Sequence, residues 1–271
     1  LTRGDFRLNP VHPPFIKEVC ALSVLLACRL PFQPAERLWS VAEEWRIGRD
    51  FLYASSISWT KILFAGRLPN LLLGAVLIGI IGAWGRRLWG DAGGLTAMAL
   101  AAFEPNLIAN SCLITTDLGA ALFTTLTLYL LWDYAAAPSW GKFAGAGISM
   151  GLALVSKYSS VILLVIAAGV LGAYVCFCRG RFSLPGKKSA PSTKPETGTD
   201  RMAGPAASIT LLFIIAVLVI PVAYFFQGFS TWWLGFSRAL AHQEGGHLAF
   251  FLGQYSTQGW WSYFPVAFLI K

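Results

Sequence analysis

The sequence predicts an all-α fold, a polytopic transmembrane helix bundle with interfacial helices and an outer aromatic-rich loop. Three observations carry that expectation. Of the 271 residues, 56% are hydrophobic and only 13% charged, against about 25% charged in an ordinary soluble domain. The apolar residues gather into six stretches, most of them near the ~20 residues that a crossing of the hydrocarbon core requires. In hydrocarbon each segment must satisfy its own backbone donors and acceptors, so the stretches read as helices rather than an open sheet.

In chain order, residues 1–61 form an outer loop with an interfacial helix. His12-Pro13-Pro14 interrupts any helix there, because proline lacks the amide donor and crowds the preceding turn. The segment after Pro14 has the length of an interfacial helix, with Lys17 and Glu18 on its polar side. Residues 62–178 hold five spans, at Gly66–Trp89, Ala92–Asn110, Leu118–Tyr134, Phe143–Ser156 and Tyr158–Cys178, the fourth short and glycine-rich. Residues 179–204 are dominated by Pro, Gly, Ser, Thr and Lys, cannot bury a core, and read as a cytoplasmic linker. Pro205–Phe226 is the sixth span, 227–261 an outer loop, and 262–271 the opening of a further, truncated span. After the sixth span Trp232, Trp233, Trp260, Trp261 and Tyr263 suit an interfacial belt.

Orientation follows from the basic residues. Arg86, Arg87, Lys142, Arg179, Arg181, Lys187, Lys188, Lys194 and Arg201 fall on one side, and Lys157 and Arg238 on the other. The first side is therefore cytoplasmic. The eight Lys and Arg of the first 61 residues run against this assignment, although long segments weigh less than short loops.

With that orientation Glu104 and Asp117, in "EPNLIANSCLITTD", both lie at the outer boundary. Asp117 opens the third span, where a carboxylate favours the helix N-terminus, so capping is one of its two readings. Glu104 precedes Pro105 as an interfacial loop residue; an ionisable side chain at membrane depth is also a functional candidate. His242, Glu244 and His247 raise a metal hypothesis, with His242 and His247 as weak ligands, but the spacing is not that of a helical zinc motif. Cys20, Cys28, Cys112, Cys176 and Cys178 show no metal spacing and read as free thiols. The net charge of +8 suits anionic lipid or a lipid phosphate; the dispersed basic residues and the lack of a binding motif exclude nucleic acid.

Three stretches then carry a family resemblance: "RLPNLLLGAVLIGIIGAWGRRLWGDAGGLTAMALAAFEPNLIANSCLITTD", "GLALVSKYS" and "GQYSTQGWWSYFPVAFLIK". Together they resemble the GT-C fold membrane glycosyltransferases of the protein O-mannosyltransferase and aminoarabinose transferase type, glycosyltransferase family 39, over nearly the whole chain. The resemblance implies transfer of a sugar from a polyprenyl-phosphate carrier to an acceptor hydroxyl on a protein or lipid, at the outer face of a bacterial inner membrane. It also implies roles. Asp117 is the supporting acid, with Glu104 beside it as a second catalytic candidate. Lys157, Arg67 and His12 face the carrier phosphate, and a divalent cation is left open. Their structural readings stay open beside these: Lys157 and Arg67 as snorkelling cations, His12 as a surface loop histidine. Two departures matter. Val11 stands where relatives often carry Glu before His-Pro-Pro. The family's catalytic Asp-Glu pair has no counterpart here, which implies a fragment whose main base lies upstream of Leu1. A secondary transporter, with ionisable groups at mid-span on broken helices, and a non-catalytic membrane assembly protein are the alternatives.

Overall fold

The structure is a computed structural model that describes residues 4–29, 32–173, 205–227, 229–244 and 248–270. The linker, Cys176, Cys178 and His247 lie outside the described residues. The elements are α1 (Phe15–Cys28), α2 (Glu36–Ser40), α3 (Glu44–Tyr53), α4 (Trp59–Ala102), α5 (Pro105–Ser111), α6 (Asp117–Ala136), α7 (Trp140–Ser156), a 3-10 turn (Tyr158–Val161), α8 (Ile162–Ala173), α9 (Pro205–Ala223), α10 (Phe229–Glu244), a short antiparallel hairpin of β1 (Ala249–Phe251) and β2 (Gln254–Ser256), and α11 (Tyr263–Ile270). The described residues are thus helical apart from that hairpin and the connecting turns; the hairpin lies in the segment expected to be an outer loop. Trp59–Ala102 is long and apolar enough to cross a membrane; Tyr158–Ala173 and Ala207–Ala223 are apolar but shorter.

The first two expected spans form one element with a break. Gly90 adopts φ 75°, a left-handed conformation that glycine enters without a Cβ penalty, and the chain turns back on itself there. The returning arm lies so close that a Cβ on Gly94 would sit 2.9 Å from the Gly82 carbonyl, and one on Gly85 2.9 Å from Ala97 Cβ. Small residues permit such backbone approach where packing, rather than water exclusion, holds helices together. The returning arm stops at Ala102, short of the expected Asn110, because Glu104-Pro105 starts a new helix.

From there α6 packs against α4 and α7, and α7 packs against α9. The α7 face toward α9 is again small: a Cβ on Gly151 would collide with the Ala216 carbonyl and Val219. Leu118, Leu122, Leu131, Phe143, Met150 and Leu212 fill the interior between these helices. Trp232, expected in the interfacial belt, is instead buried, and its Nε1 donates to the Leu154 carbonyl at 3.3 Å. That bond pins α10 to α7.

Helix α1 is 14 residues long, about 21 Å at 1.5 Å per residue and too short to span. Its Ile16, Cys20 and Val24 are buried. Ile16 lies against Gly119 of α6, Val24 against Gly66 of α4, and Ser23 Oγ donates to the Ala65 carbonyl at 2.7 Å. Its polar side does not face water as the sequence suggested. Leu26 is 71% exposed, whereas Lys17 and Glu18 are half-buried and line a half-open cavity. Packing Ile16 on the first turn of α6 is what carries His12-Pro13-Pro14 to Asp117.

Candidate active site

Helix α6 has a polar cluster at each end. At its start, Lys157, the C-cap residue that follows α7, forms an ion pair with Asp117. The pairing is possible because α7 ends beside the first turn of α6: a Cβ on Gly119 would lie 3.4 Å from Ser156 Oγ. Thr116 is the N-cap and makes no side-chain cap bond, and the Asp117 carboxylate accepts from Lys157 Nζ.

His12 belongs to the same neighbourhood. Burial, followed by repulsion from Lys17 and Lys157, holds its imidazole below the ordinary value, with Asp117 and Glu44 pulling the other way. His12 also lines a cavity of about 170 Å³ with Lys17, Glu18, Tyr158, Tyr224 and Gly235. Tyr158 directly follows Lys157 in the chain. Its hydroxyl lies 3.2 Å from both the Pro10 carbonyl and Tyr224 Oη. Gly235 is required opposite it, since a Cβ there would collide with Tyr158 Oη.

The remaining candidates are placed differently. Arg67 is exposed on α4 and makes no ion pair among the described residues; it does not line the cavity. Glu104 caps α5: Oε2 accepts from the Leu107 amide at 2.6 Å and Oε1 from Asn106 Nδ2 at 2.7 Å. Glu104→Ala is therefore expected to cost about 1 kcal/mol of stability, read as a lower melting temperature, while sugar transfer stays within two-fold of wild type. A ten-fold drop in transfer would return Glu104 to the site. His242 lies in the last turn of α10, a helix that runs through Glu244 where a loop was expected. Among the described residues no three His, Cys, Asp or Glu side chains gather as a metal site. Cys20 and Cys28 are buried free thiols, and Cys112 is exposed.

Three polar residues that sequence reasoning left without a site role, or missed, stand out. Asn70 is fully buried and its Nδ2 donates to the carbonyls of Asn110, Leu113 and Thr115, which tie down the loop entering Asp117. At the far end of α6, Asp133 is buried between Arg87 and Lys142, the latter at 3.2 Å. Glu18 has one oxygen, Oε1, buried without a partner among the described residues.

Burial pushes the Glu18 carboxyl up to about 7, with Lys17 offsetting only part. Between the ordinary value of 4.5 and about 7 the folded chain then holds a proton that the unfolded chain has released. The Glu18 contribution to stability should accordingly be greatest below pH 4.5 and decline as the pH rises to 7. Thermal unfolding in detergent from pH 4.5 to 7.5 checks this, and Glu18→Gln should flatten that part of the profile.

One comparison bears on this geometry. Residues 57–186 match the family described as dolichyl-phosphate-mannose-protein mannosyltransferase. The match spans just under half of the chain and includes Arg67, Asn70, Glu104, Asp117, Asp133 and Lys157; His12, Lys17, Glu18 and α9 to α11 lie outside it. No curated protein and no solved structure matches the chain.

Proposed function

We propose that the chain is the membrane-embedded part of a glycosyltransferase that moves a sugar from a polyprenyl-phosphate carrier to an acceptor hydroxyl at the outer face of a bacterial inner membrane. The observation that carries the reading is the Lys157–Asp117 pair, with His12 beside it, inside a segment that matches a mannosyltransferase family named for a lipid-phosphate sugar. In this reaction the acceptor oxygen attacks the anomeric carbon, the bond from that carbon to the carrier phosphate breaks, and the hydroxyl proton passes to a base. The departing phosphate needs positive charge and the acceptor needs a base. Lys157 supplies the first; Asp117 orients Lys157 and the acceptor.

A crossing geometry supports the membrane part of the reading. Asp117 and Asp133 are sixteen residues apart on α6, about 24 Å, and Asn70 and Arg87 are about 26 Å apart on α4. Both separations approach the ~30 Å hydrocarbon core. The acids of α6 stand at its ends, unlike the mid-span ionisable groups of a secondary transporter. Transfer of labelled sugar from polyprenyl-phosphate donors by the full-length protein in lipid nanodiscs tests the proposal. Its failure with every such donor, by protein shown to be folded, would overturn it.

A further inference from the structure

The end of α6 away from the Lys157–Asp117 pair borders an open groove of about 830 Å³, within the range of ligand sites. The two arms of α4 form most of it, and Tyr129 of α6 completes it. Its chemistry changes along its length. Close to the Gly90 turn it is lined by Arg86, Arg87 and Asp91, and farther from the turn by Gly79, Ala83, Leu95 and Met98. Gly79 precedes Arg86 by seven residues, about 10 Å along the helix. A Cβ on Gly79 would meet nothing within 4 Å, so the groove stays open to that depth, and Leu95 and Met98 stand exposed opposite.

The charged end has donors to spare. Arg86 Nε forms an ion pair with Asp91 at 2.5 Å, the two side chains being 71% and 76% exposed, so water competes for the pair. The terminal nitrogens of Arg86 are left for a ligand. Arg87 pairs with Asp133, which also takes Lys142 at 3.2 Å. One carboxylate shared by two cations cannot neutralise both. Arg86, Arg87 and Lys142 therefore leave a positive excess over Asp91 and Asp133.

We propose that this groove holds an anionic phospholipid of the leaflet opposite the Lys157–Asp117 pair, its phosphate between Arg86 and Arg87 and one acyl chain along Gly79, Ala83, Leu95 and Met98. The proposal rests on the membrane crossing argued above and not on sugar transfer. Charge at the helix turn and apolar surface toward mid-span repeat the order of a lipid from headgroup to tail. Guanidinium groups bind phosphate oxygens in pairs, and basic recesses between spans suit anionic headgroups. A free phosphate would leave the apolar wall uncovered, and the phosphate of a sugar carrier belongs at the other end of α6. A zwitterionic lipid would bring its own cation to a site that already has an excess. Asp91 opposes the ligand, since its carboxylate competes with phosphate for Arg86.

The test is native mass spectrometry of the full-length protein in phosphatidylcholine nanodiscs, with small added fractions of phosphatidylglycerol or phosphatidylethanolamine as probes. Phosphatidylglycerol should bind at least about five-fold tighter than phosphatidylethanolamine, and Arg86→Gln should remove about five-fold of its affinity, the scale of one basic residue at a membrane surface. The melting temperature should stay unchanged in Arg86→Gln, because the side chain is exposed. Gly79→Leu projects into open space, so it should keep the fold and weaken phosphatidylglycerol by filling the path of the chain. Asp91→Asn should tighten phosphatidylglycerol binding by releasing Arg86. Millimolar inorganic phosphate should not displace the lipid. Equal binding of the two probes, or a preference that survives both Arg86→Gln and Gly79→Leu, overturns the site; displacement by inorganic phosphate overturns the lipid as its occupant. No sugar donor enters the measurement, so neither result bears on the transfer reading.

Discussion

Replacing Lys157 with alanine is expected to lower sugar transfer by about 100-fold or more, the scale seen when one charge-stabilising donor is removed from a transition state. The same substitution should barely move the melting temperature. The Lys157 and Asp117 side chains are 35% and 52% exposed, and ion pairs that open to solvent contribute ~0–1 kcal/mol. A large kinetic loss without a stability loss is the signature of a functional cation. A snorkelling lysine would give neither. Lys157→Arg should recover part of the rate, because it restores the charge but not the compact ammonium geometry. Asp117→Asn should cost an order of magnitude or more, and the double variant little beyond Lys157→Ala alone, since the two side chains act as one unit. Wild-type transfer by Lys157→Ala would remove the pair from the mechanism.

The helices at the centre of the fold were legible because their signals are local. An apolar run opened by Thr-Thr-Asp places the start of the third span one residue from the observed Asp117. Ser156 ends α7 where Lys157 breaks the apolar run, and Gly90 sits between the first two spans where α4 turns. Asp117 and Lys157 could be singled out from their positions at span ends. Their contact, forty residues apart in sequence, could not be read there, since nothing local encodes which helix ends meet. The same holds for Asp133, whose partner Arg87 lies 46 residues earlier. Glu18 was assigned to a water-facing side because its helix looks amphipathic, and such a pattern does not say which side meets lipid. Here the leucines face outward and the charges face the cavity. Trp232 misled for a related reason: an indole suits an interface and a gap between packed helices equally well.

Asn70 is the residue whose loss should spread furthest. Its side chain is fully buried, and one amide nitrogen bridges the carbonyls of Asn110, Leu113 and Thr115. Those carbonyls belong to the end of α5 and the loop that delivers Asp117 to the start of α6. Asn70→Ala removes the shared donor and leaves a void beneath the loop, at a cost of roughly 2–4 kcal/mol given ~1–3 kcal/mol for each buried polar group left unmet and some recovery by water. Asn70→Asp should be worse, because it turns a carboxylate toward three carbonyl oxygens in a buried site. Transfer should fall by about 100-fold in Asn70→Ala protein that remains folded at the assay temperature, since a displacement of ~1 Å at a reacting group has that effect. The distinguishing readout is coupling to Lys157. If Asn70 acts by placing Asp117, the losses from Asn70→Ala and Lys157→Ala should combine to much less than their product, because a misplaced carboxylate no longer orients the lysine. Losses that multiply would mean that Asn70 supports only the packing of α4 against α5, and that Asp117 keeps its position without it.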